Sequence, residues 1–386
     1  MPRVYLDHNA STPCRPDVLE AMLPYFTEEY ANPSSVHGYG QEAKGAVEEA
    51  RARVASFLNA APNEIVFTSG GTESDNLAVL GTARALAASG RHVVTSAVEH
   101  EAVGQACDQL EREGFTVTRV APGRDGRVAP DAVAAALRDD TILVTIMAAN
   151  NETGVIQPSA EIGAICAGRG IAYHVDAVQA AGKIPVDAAA WQATLLTITA
   201  HKFYGPKGAG VLVTRRGARL APLLFGGEHE RGRRPGTANV PAIVGLGAAC
   251  EAAARDLATD APRWTALRDR FEAGLVERVP NVVIHGAGAP RVGNTSHVSF
   301  VGAEGEHLVL SLDMKGIAVS AGAACKAGSS RASSVLLAMG VPAVVAQSAV
   351  RFSVGRDTTG AEIDRVLDVL PGVVAKLRAA SPTLAA

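Results

Sequence analysis

Thr199-Ala200-His201-Lys202-Phe203-Tyr204-Gly205-Pro206-Lys207-Gly208 decides how this chain is read. It opens at the end of Leu195–Thr199, a β-branched apolar run that predicts a buried strand. Lys202 therefore stands at the carboxyl end of a strand, just before a glycine-rich turn. A lysine beside Gly-Pro, taken alone, reads as a surface turn, and its upstream neighbours reverse that reading. Comparable runs predict strands at Ile65–Thr68, His92–Ser96, Thr116–Val120, Ile142–Met147, Ala172–Val175 and Gly210–Thr214. Between several of them the apolar residues take helical spacing, as in Val47, Ala50, Val54, Phe57 and Leu58, or Leu77, Leu80 and 83–87. Strands alternating with helices predict an α/β fold: a mostly parallel seven-stranded sheet with helices on both faces.

In such sheets ligands bind outside the carboxyl ends of the strands. Ser69–Ser74, Glu99-His100, Asn150-Asn151, Asp176 and His201-Lys202 each fall just after a predicted strand, which points to one composite site. Ser69-Gly70-Gly71-Thr72-Glu73 opens a helix, where backbone N–H groups and the helix dipole suit an anion; a plain helix cap is the alternative. Asp176 suits a heteroaromatic nitrogen that must stay protonated, or else caps a helix. Gln179 offers a hydrogen bond to a phenolic oxygen, and Asn151 offers amide contacts. His100 suits ring stacking or proton transfer, because imidazole titrates near neutrality; a structural role is its alternative. Arg351 is able to hold a carboxylate bidentately or to form a structural ion pair. An anion loop, a carboxylate and a strand-end lysine match the phosphate, pyridine nitrogen and aldehyde of pyridoxal 5′-phosphate.

Beyond Pro241 the pattern changes. An alanine-rich helix is expected over Ile243–Leu257, then strands near Val282–His285 and Thr295–Phe300. Helical patterns at Leu308–Met314 and Val341–Ala349 follow, then strand Val350–Ser353 and a last helix from about Ala361. This predicts a smaller α+β domain of residues 1–13 and 246–386, set against a large cofactor-binding domain of residues 14–245.

With 386 residues, 47% hydrophobic and 19% charged, the chain has ample apolar side chains for a core, and disorder is excluded. A formal net charge of −3 argues against a nucleic-acid partner. No apolar run approaches the roughly 20 residues needed to cross a bilayer. The N-terminus lacks the apolar core and cleavage site of a signal peptide, so a cytoplasmic protein without a membrane partner is expected. The 5 cysteines (Cys14, Cys107, Cys166, Cys250, Cys325) are scattered and contain no C-x-x-C pair, which excludes a disulfide framework or a structural zinc site; no metal is expected. Cys107, Cys166 and Cys250 read as small buried hydrophobes. Cys325 sits among Gly, Ala and Ser, in a stretch expected to be an exposed loop.

Taken together, these motifs resemble the cysteine desulfurase family, class V aminotransferase-type enzymes of the fold-type I pyridoxal-phosphate group. The resemblance runs nearly end to end. It is carried by Tyr-Leu-Asp-His-Asn-Ala-Ser-Thr-Pro (5–13), Asn-Pro-Ser-Ser-Val-His (32–37), Phe-Thr-Ser-Gly-Gly-Thr-Glu-Ser-Asp-Asn-Leu-Ala (67–78) and Val-Glu-His (98–100). Asn-Asn-Glu-Thr-Gly-Val-Ile-Gln-Pro (150–158), His-Val-Asp-Ala-Val-Gln (174–179) and His-Lys-Phe-Tyr-Gly-Pro-Lys-Gly (201–208) continue it. Glu-Arg-Gly-Arg-Arg-Pro-Gly-Thr-Ala-Asn (230–239) and Arg-Phe-Ser-Val-Gly-Arg (351–356) complete it.

The resemblance implies that Lys202 forms the Schiff base with pyridoxal 5′-phosphate. Gly71, Thr72, Thr199 and His201 would bind its phosphate, with Thr237 reaching in from the other subunit of a homodimer. Asp176 and Gln179 would tune the ring, His100 would stack on it, and Asn151 and Arg351 would engage the carboxylate of L-cysteine. Cys325 would be the nucleophile that takes the sulfur as a persulfide, leaving L-alanine, before passing it to a sulfur-acceptor protein. The expected destination is an iron–sulfur cluster or another sulfur-containing product. Lys326-Ala-Gly-Ser-Ser-Arg-Ala-Ser-Ser lacks the Glu-Pro pair that one subgroup carries after its nucleophile, a difference that bears on the acceptor and not on the reaction. Two alternatives share the scaffold. A selenocysteine lyase would prefer selenocysteine, and a sulfur-relay or assembly protein would bind the cofactor without turnover. A plain aminotransferase would have no use for Cys325.

Overall fold

The computed structural model describes residues 3–321 and 332–380. Strand β1 (Val4–Tyr5) begins the chain, followed by β2 (Ile65–Thr68), β3 (His92–Ser96), β4 (Thr116–Val120), β5 (Thr141–Thr145), β6 (Ala172–Asp176), β7 (Leu195–Thr199) and β8 (Gly210–Thr214). The strands β2 to β8 form one seven-stranded sheet in the order β2-β8-β7-β6-β5-β3-β4. The β3–β4, β3–β5, β5–β6 and β6–β7 pairs are parallel, and β8 runs antiparallel to both its neighbours. Strands covered on both faces favour apolar and β-branched residues, and β3, β5, β7 and β8 are buried at every position, with His, Thr and Ser as their polar members. Edge strand β4, Thr-Val-Thr-Arg-Val, is buried only at Val120. The expected α/β sheet is the observed one. Strand β5 starts at Thr141 and stops at Thr145, because the chain leaves the sheet there to form the Asn150 turn.

A second, antiparallel sheet has the order β12-β13-β10-β9, from β9 (Val282–His285), β10 (Thr295–Phe300), β12 (Ser320–Ala321) and β13 (Ala349–Ser353). The N-terminal β1 pairs in parallel with β11 (Ile317–Ala318), and Asp7 bridges to Ser353, so the first residues are stitched to this second sheet. Val4, Leu6, Trp264, Phe271, Phe300, Phe352 and Ile363 share its core.

The helix expected over Ile243–Leu257 runs from Val240 to Arg278, roughly 58 Å at 1.5 Å per residue, and crosses position 245 unbroken. Pro262 costs one internal hydrogen bond. The helix continues because its first half buries Ile243, Leu246 and Cys250 in the core of the large sheet, and its second half buries Trp264, Phe271 and Leu275 in the other core. The helical pattern expected at Val341–Ala349 shrinks to one short helix, Ala343–Ala346, with Ala349 already in β13; a separate short helix, Ser334–Ala338, precedes it across a left-handed turn at Gly340. Cys107, Cys166 and Cys250 are buried, and desolvation pushes the Cys107 and Cys166 thiols up to about 12. They are inert packing groups.

Candidate active site

Four parallel strands and β2 end at the same edge of the large sheet, and the chain turns there each time. Strand β2 runs into Ser69-Gly70-Gly71. After β3 come Glu99 and His100, and after β5 comes the Asn150 turn. Strand β6 ends on Asp176, and β7 leads through a single helical turn to Lys202. Together with Asn9, Ala10 and Arg351, these ends enclose a cavity of about 560 Å³, within the range of small-molecule sites. Gly71, Thr72, His100, Asn151, Asp176, Gln179, Thr199, His201, Lys202 and Arg351 all line it.

The anion loop owes its shape to glycine. Gly70 has φ 157° and ψ −178°, a conformation essentially restricted to glycine. Gly210 of β8 passes beneath it, where a Cβ would stand 2.6 Å from Gly70 Cα. The helix that follows starts at Gly71 and widens into a π turn over Leu77–Gly81. Glu73 returns to accept from the Ser69 N–H at 2.7 Å and pairs with Arg234 at 2.9 Å, clamping the loop.

Lys202 Nζ donates to the carbonyls of Asn9 at 2.7 Å and Ala10 at 2.9 Å. His201 is half-buried beside Lys202, Lys207 and Lys183; desolvation and those cations push its pKa down to about 4, so it is neutral. His100 caps the helix Glu101–Arg112, its Nδ1 accepting from the Ala102 N–H at 3.1 Å. Arg351 donates from Nη2 to Asp7 at 2.8 Å and from Nη1 to the Asn151 carbonyl at 3.0 Å.

Asp176 lies at the cavity floor above Asp75, and both are buried. Desolvation raises both carboxyls, but the charges act oppositely: Asp75 is raised further by Asp176, whereas His100 and Lys202 pull Asp176 down. Asp75 is the more strongly raised of the two, and Asp176 is the one beside groups that favour its charged form.

Two expected residues stand elsewhere. Thr237 lines a separate cavity of about 430 Å³ with Ser69, Arg51 and Arg234. Cys325 lies outside the described residues. Among those residues no cluster of His, Cys, Asp and Glu is arranged to hold a metal ion.

Sequence reasoning missed several groups at this site. Asn9 is a hub, donating to Thr295 Oγ1 at 2.8 Å and accepting on its carbonyl from both Lys202 and Gln179. Glu152 and Ser333 are hydrogen-bonded beside Arg351, and burial lifts Glu152 to about 7. Glu99 accepts from the Ser96 hydroxyl and, at 3.1 Å, from the Met147 N–H, while its Oε2 is buried without a partner. Burial raises Glu99 to about 8, so it is protonated at neutral pH. The only available signal was that Glu99 precedes His100 at a strand end.

A testable consequence follows for stability. A carboxyl raised in the folded state is neutral there while ionised in the unfolded chain, so the folded state binds more protons and stability falls as pH rises. For Glu99 the fall runs from about pH 4.5 to 8, at up to about 1.4 kcal/mol per pH unit. Thermal unfolding of the apoprotein at pH 5 to 8.5 is expected to show Glu99→Gln gaining on the parent as pH rises. Parallel profiles would rule the raised carboxyl out.

The comparison with known proteins agrees with this geometry. The family model for aminotransferase class-V matches residues 4–366. A cysteine desulfurase of Nostoc sp. is 48% identical over 98% of this chain and 94% of its own length. A solved NifS-like protein superposes with a TM-score of 0.91 at 38% identity, covering 97% of this chain and all of the other. The structure titled SspA in complex with cysteine matches with a TM-score of 0.81 at 35% identity, covering 91% of this chain and 98% of that one.

Proposed function

This chain belongs to the cysteine desulfurases of the aminotransferase class-V family, and from that premise we propose how its own residues work. The protein converts L-cysteine to L-alanine and takes the sulfur onto Cys325 as a persulfide. The observation that carries the reading is the convergence of Lys202, Asp176, Gln179, His100 and Arg351 on one cavity.

Pyridoxal 5′-phosphate fits the groups present. The glycine-shaped anion loop, with Thr72, Thr199 and neutral His201 as hydrogen-bonding neighbours, suits a phosphate. A buried anionic Asp176 is complementary to a protonated ring nitrogen, and Gln179 to a phenolic oxygen. When bound, the cofactor supplies an electron sink for the substrate carbons.

The remaining work falls to the chain. Lys202 would hold the cofactor through its amine, and the same amine would move the substrate's α-proton; its Asn9 and Ala10 hydrogen bonds aim it. His100 would cover the ring. Arg351, kept charged and oriented by Asp7, binds the substrate carboxylate beside Asn151. Cys325, as thiolate, attacks the substrate sulfur: an S–S bond forms, the C–S bond breaks, and the carbon fragment leaves as alanine after protonation.

Residues 14–245 are the cofactor-binding domain, and 1–13 with 246–386 the domain that brings Arg351 and Cys325. The working unit is a homodimer, in which Thr237 of one copy reaches the phosphate of the other. Leu19, Leu23, Phe26 and Tyr30, all exposed on and just beyond the first two helices, offer an apolar face for that second copy. The protein acts in the cytoplasm and hands sulfur to an acceptor protein. No described helix is long and apolar enough to cross a membrane.

The deciding experiment measures alanine released from L-cysteine with a reductant present, beside the same assay with selenocysteine. Alanine from cysteine at the higher kcat/KM is expected. A strong preference for selenocysteine would make the protein a lyase of that amino acid. A bound cofactor whose spectrum ignores cysteine would make it a relay protein.

A further inference from the structure

Lys183 is buried at 4% exposure on the turn after Asp176, yet it does not line the cavity. Its Nζ donates to Gln179 Oε1. The charges acting on it are Lys202 and Arg351, both cations, and together with burial they lower its proton affinity well below that of an ordinary lysine. A buried ammonium among cations is costly and needs a reason to be there.

Gln179 supplies the reason. An amide has one accepting end and one donating end, and nothing in its shape decides which end faces which neighbour. Here the oxygen is engaged by Lys183, and Nε2 donates one hydrogen to the Asn9 carbonyl at 3.0 Å. The second Nε2 hydrogen takes part in neither contact, and Gln179 lines the cavity. Reversed, the amide would set a carbonyl oxygen against the Asn9 carbonyl, which repels, and would give up the hydrogen bond that its oxygen accepts from Lys183.

We propose that Lys183 is a positioning residue that locks the Gln179 amide with its N–H toward the cofactor's phenolic oxygen. The proposal rests on the reading of the cavity as a pyridoxal-phosphate site. The negative charge on that oxygen helps hold the proton on the Lys202 nitrogen. A donor that shares the charge loosens that hold. Lys183, by fixing the donor, keeps the proton mobile near neutral pH without touching the cofactor.

The test is a pH titration of the visible absorbance of the cofactor-loaded protein, which needs no turnover. In Lys183→Met the midpoint is expected to rise by about one pH unit, while Lys183→Arg, which keeps the donor, returns it toward the parent. In a Gln179→Ala background Lys183→Met is expected to shift the midpoint no further. An unchanged midpoint in Lys183→Met overturns the proposal. So does an equal shift with and without Gln179, because Lys183 would then act on Lys202 through its charge alone. Thermal unfolding of the apoprotein checks that the variant folds, and Lys183→Ala serves with the same expected rise if it does not. A parent protein with no titrating visible band would instead remove the cofactor reading itself.

Discussion

Lys202→Ala is expected to lose the visible band of lysine-bound cofactor and to lower alanine formation by about 10³–10⁴-fold. The size follows from the two roles proposed for one atom, the amine that would hold the cofactor and would also move the substrate's α-proton. Its aim is set by two carbonyls from a segment nearly 200 residues earlier. Thr12 ties the same segment to the lysine turn, its N–H donating to the His201 carbonyl at 2.9 Å and its hydroxyl accepting from the Tyr204 N–H at 2.7 Å. Lys202→Arg is expected to fare little better, since a guanidinium stays protonated and takes no proton from carbon. Turnover within tenfold of the parent in Lys202→Ala, measured as alanine from L-cysteine, would remove Lys202 from the chemistry.

What was legible in the chain and what was not divide along a physical line. Strands β2 to β8 were legible as short runs rich in β-branched and apolar residues, most plainly those covered on both faces. Gly70, Asp176 and Lys202 were legible for the same reason, each standing just beyond such a run. Asn9 and Lys183 were not. Asn9 acts through its carbonyl, which every residue possesses, and its neighbours Thr295, Gln179 and Lys202 are distant in sequence. Lys183 reads as a surface lysine in Ala-Ala-Gly-Lys-Ile-Pro, and only the fold reveals that it is buried beneath Gln179. Glu99 was placed at a strand end with no role of its own, and only the fold shows the burial that raises its carboxyl to about 8. The long helix was expected only as far as Leu257, and it runs on through Pro262 because two hydrophobic cores hold its two halves.

Cys325→Ala is expected to separate what Lys202→Ala removes together. With Lys202, Asp176 and Arg351 intact, the variant retains the whole lined cavity. It is therefore expected to bind pyridoxal 5′-phosphate and to answer L-cysteine with a change in visible spectrum as large as the parent's. Alanine formation, however, falls to background, because no thiolate is present to take the sulfur and the C–S bond has no other acceptor. The four remaining cysteines do not substitute. Cys107, Cys166 and Cys250 are buried with strongly raised thiol pKa values, and burial likewise raises Cys14, which is not among the residues lining the cavity. Mass spectrometry of the parent after one turnover without reductant should therefore find one added sulfur atom, on the peptide that carries Cys325. A persulfide on any other cysteine, or full alanine release by the variant, would move the nucleophile elsewhere. Loss of the spectral response along with alanine would mean that Cys325 shapes the cavity and does not only receive sulfur.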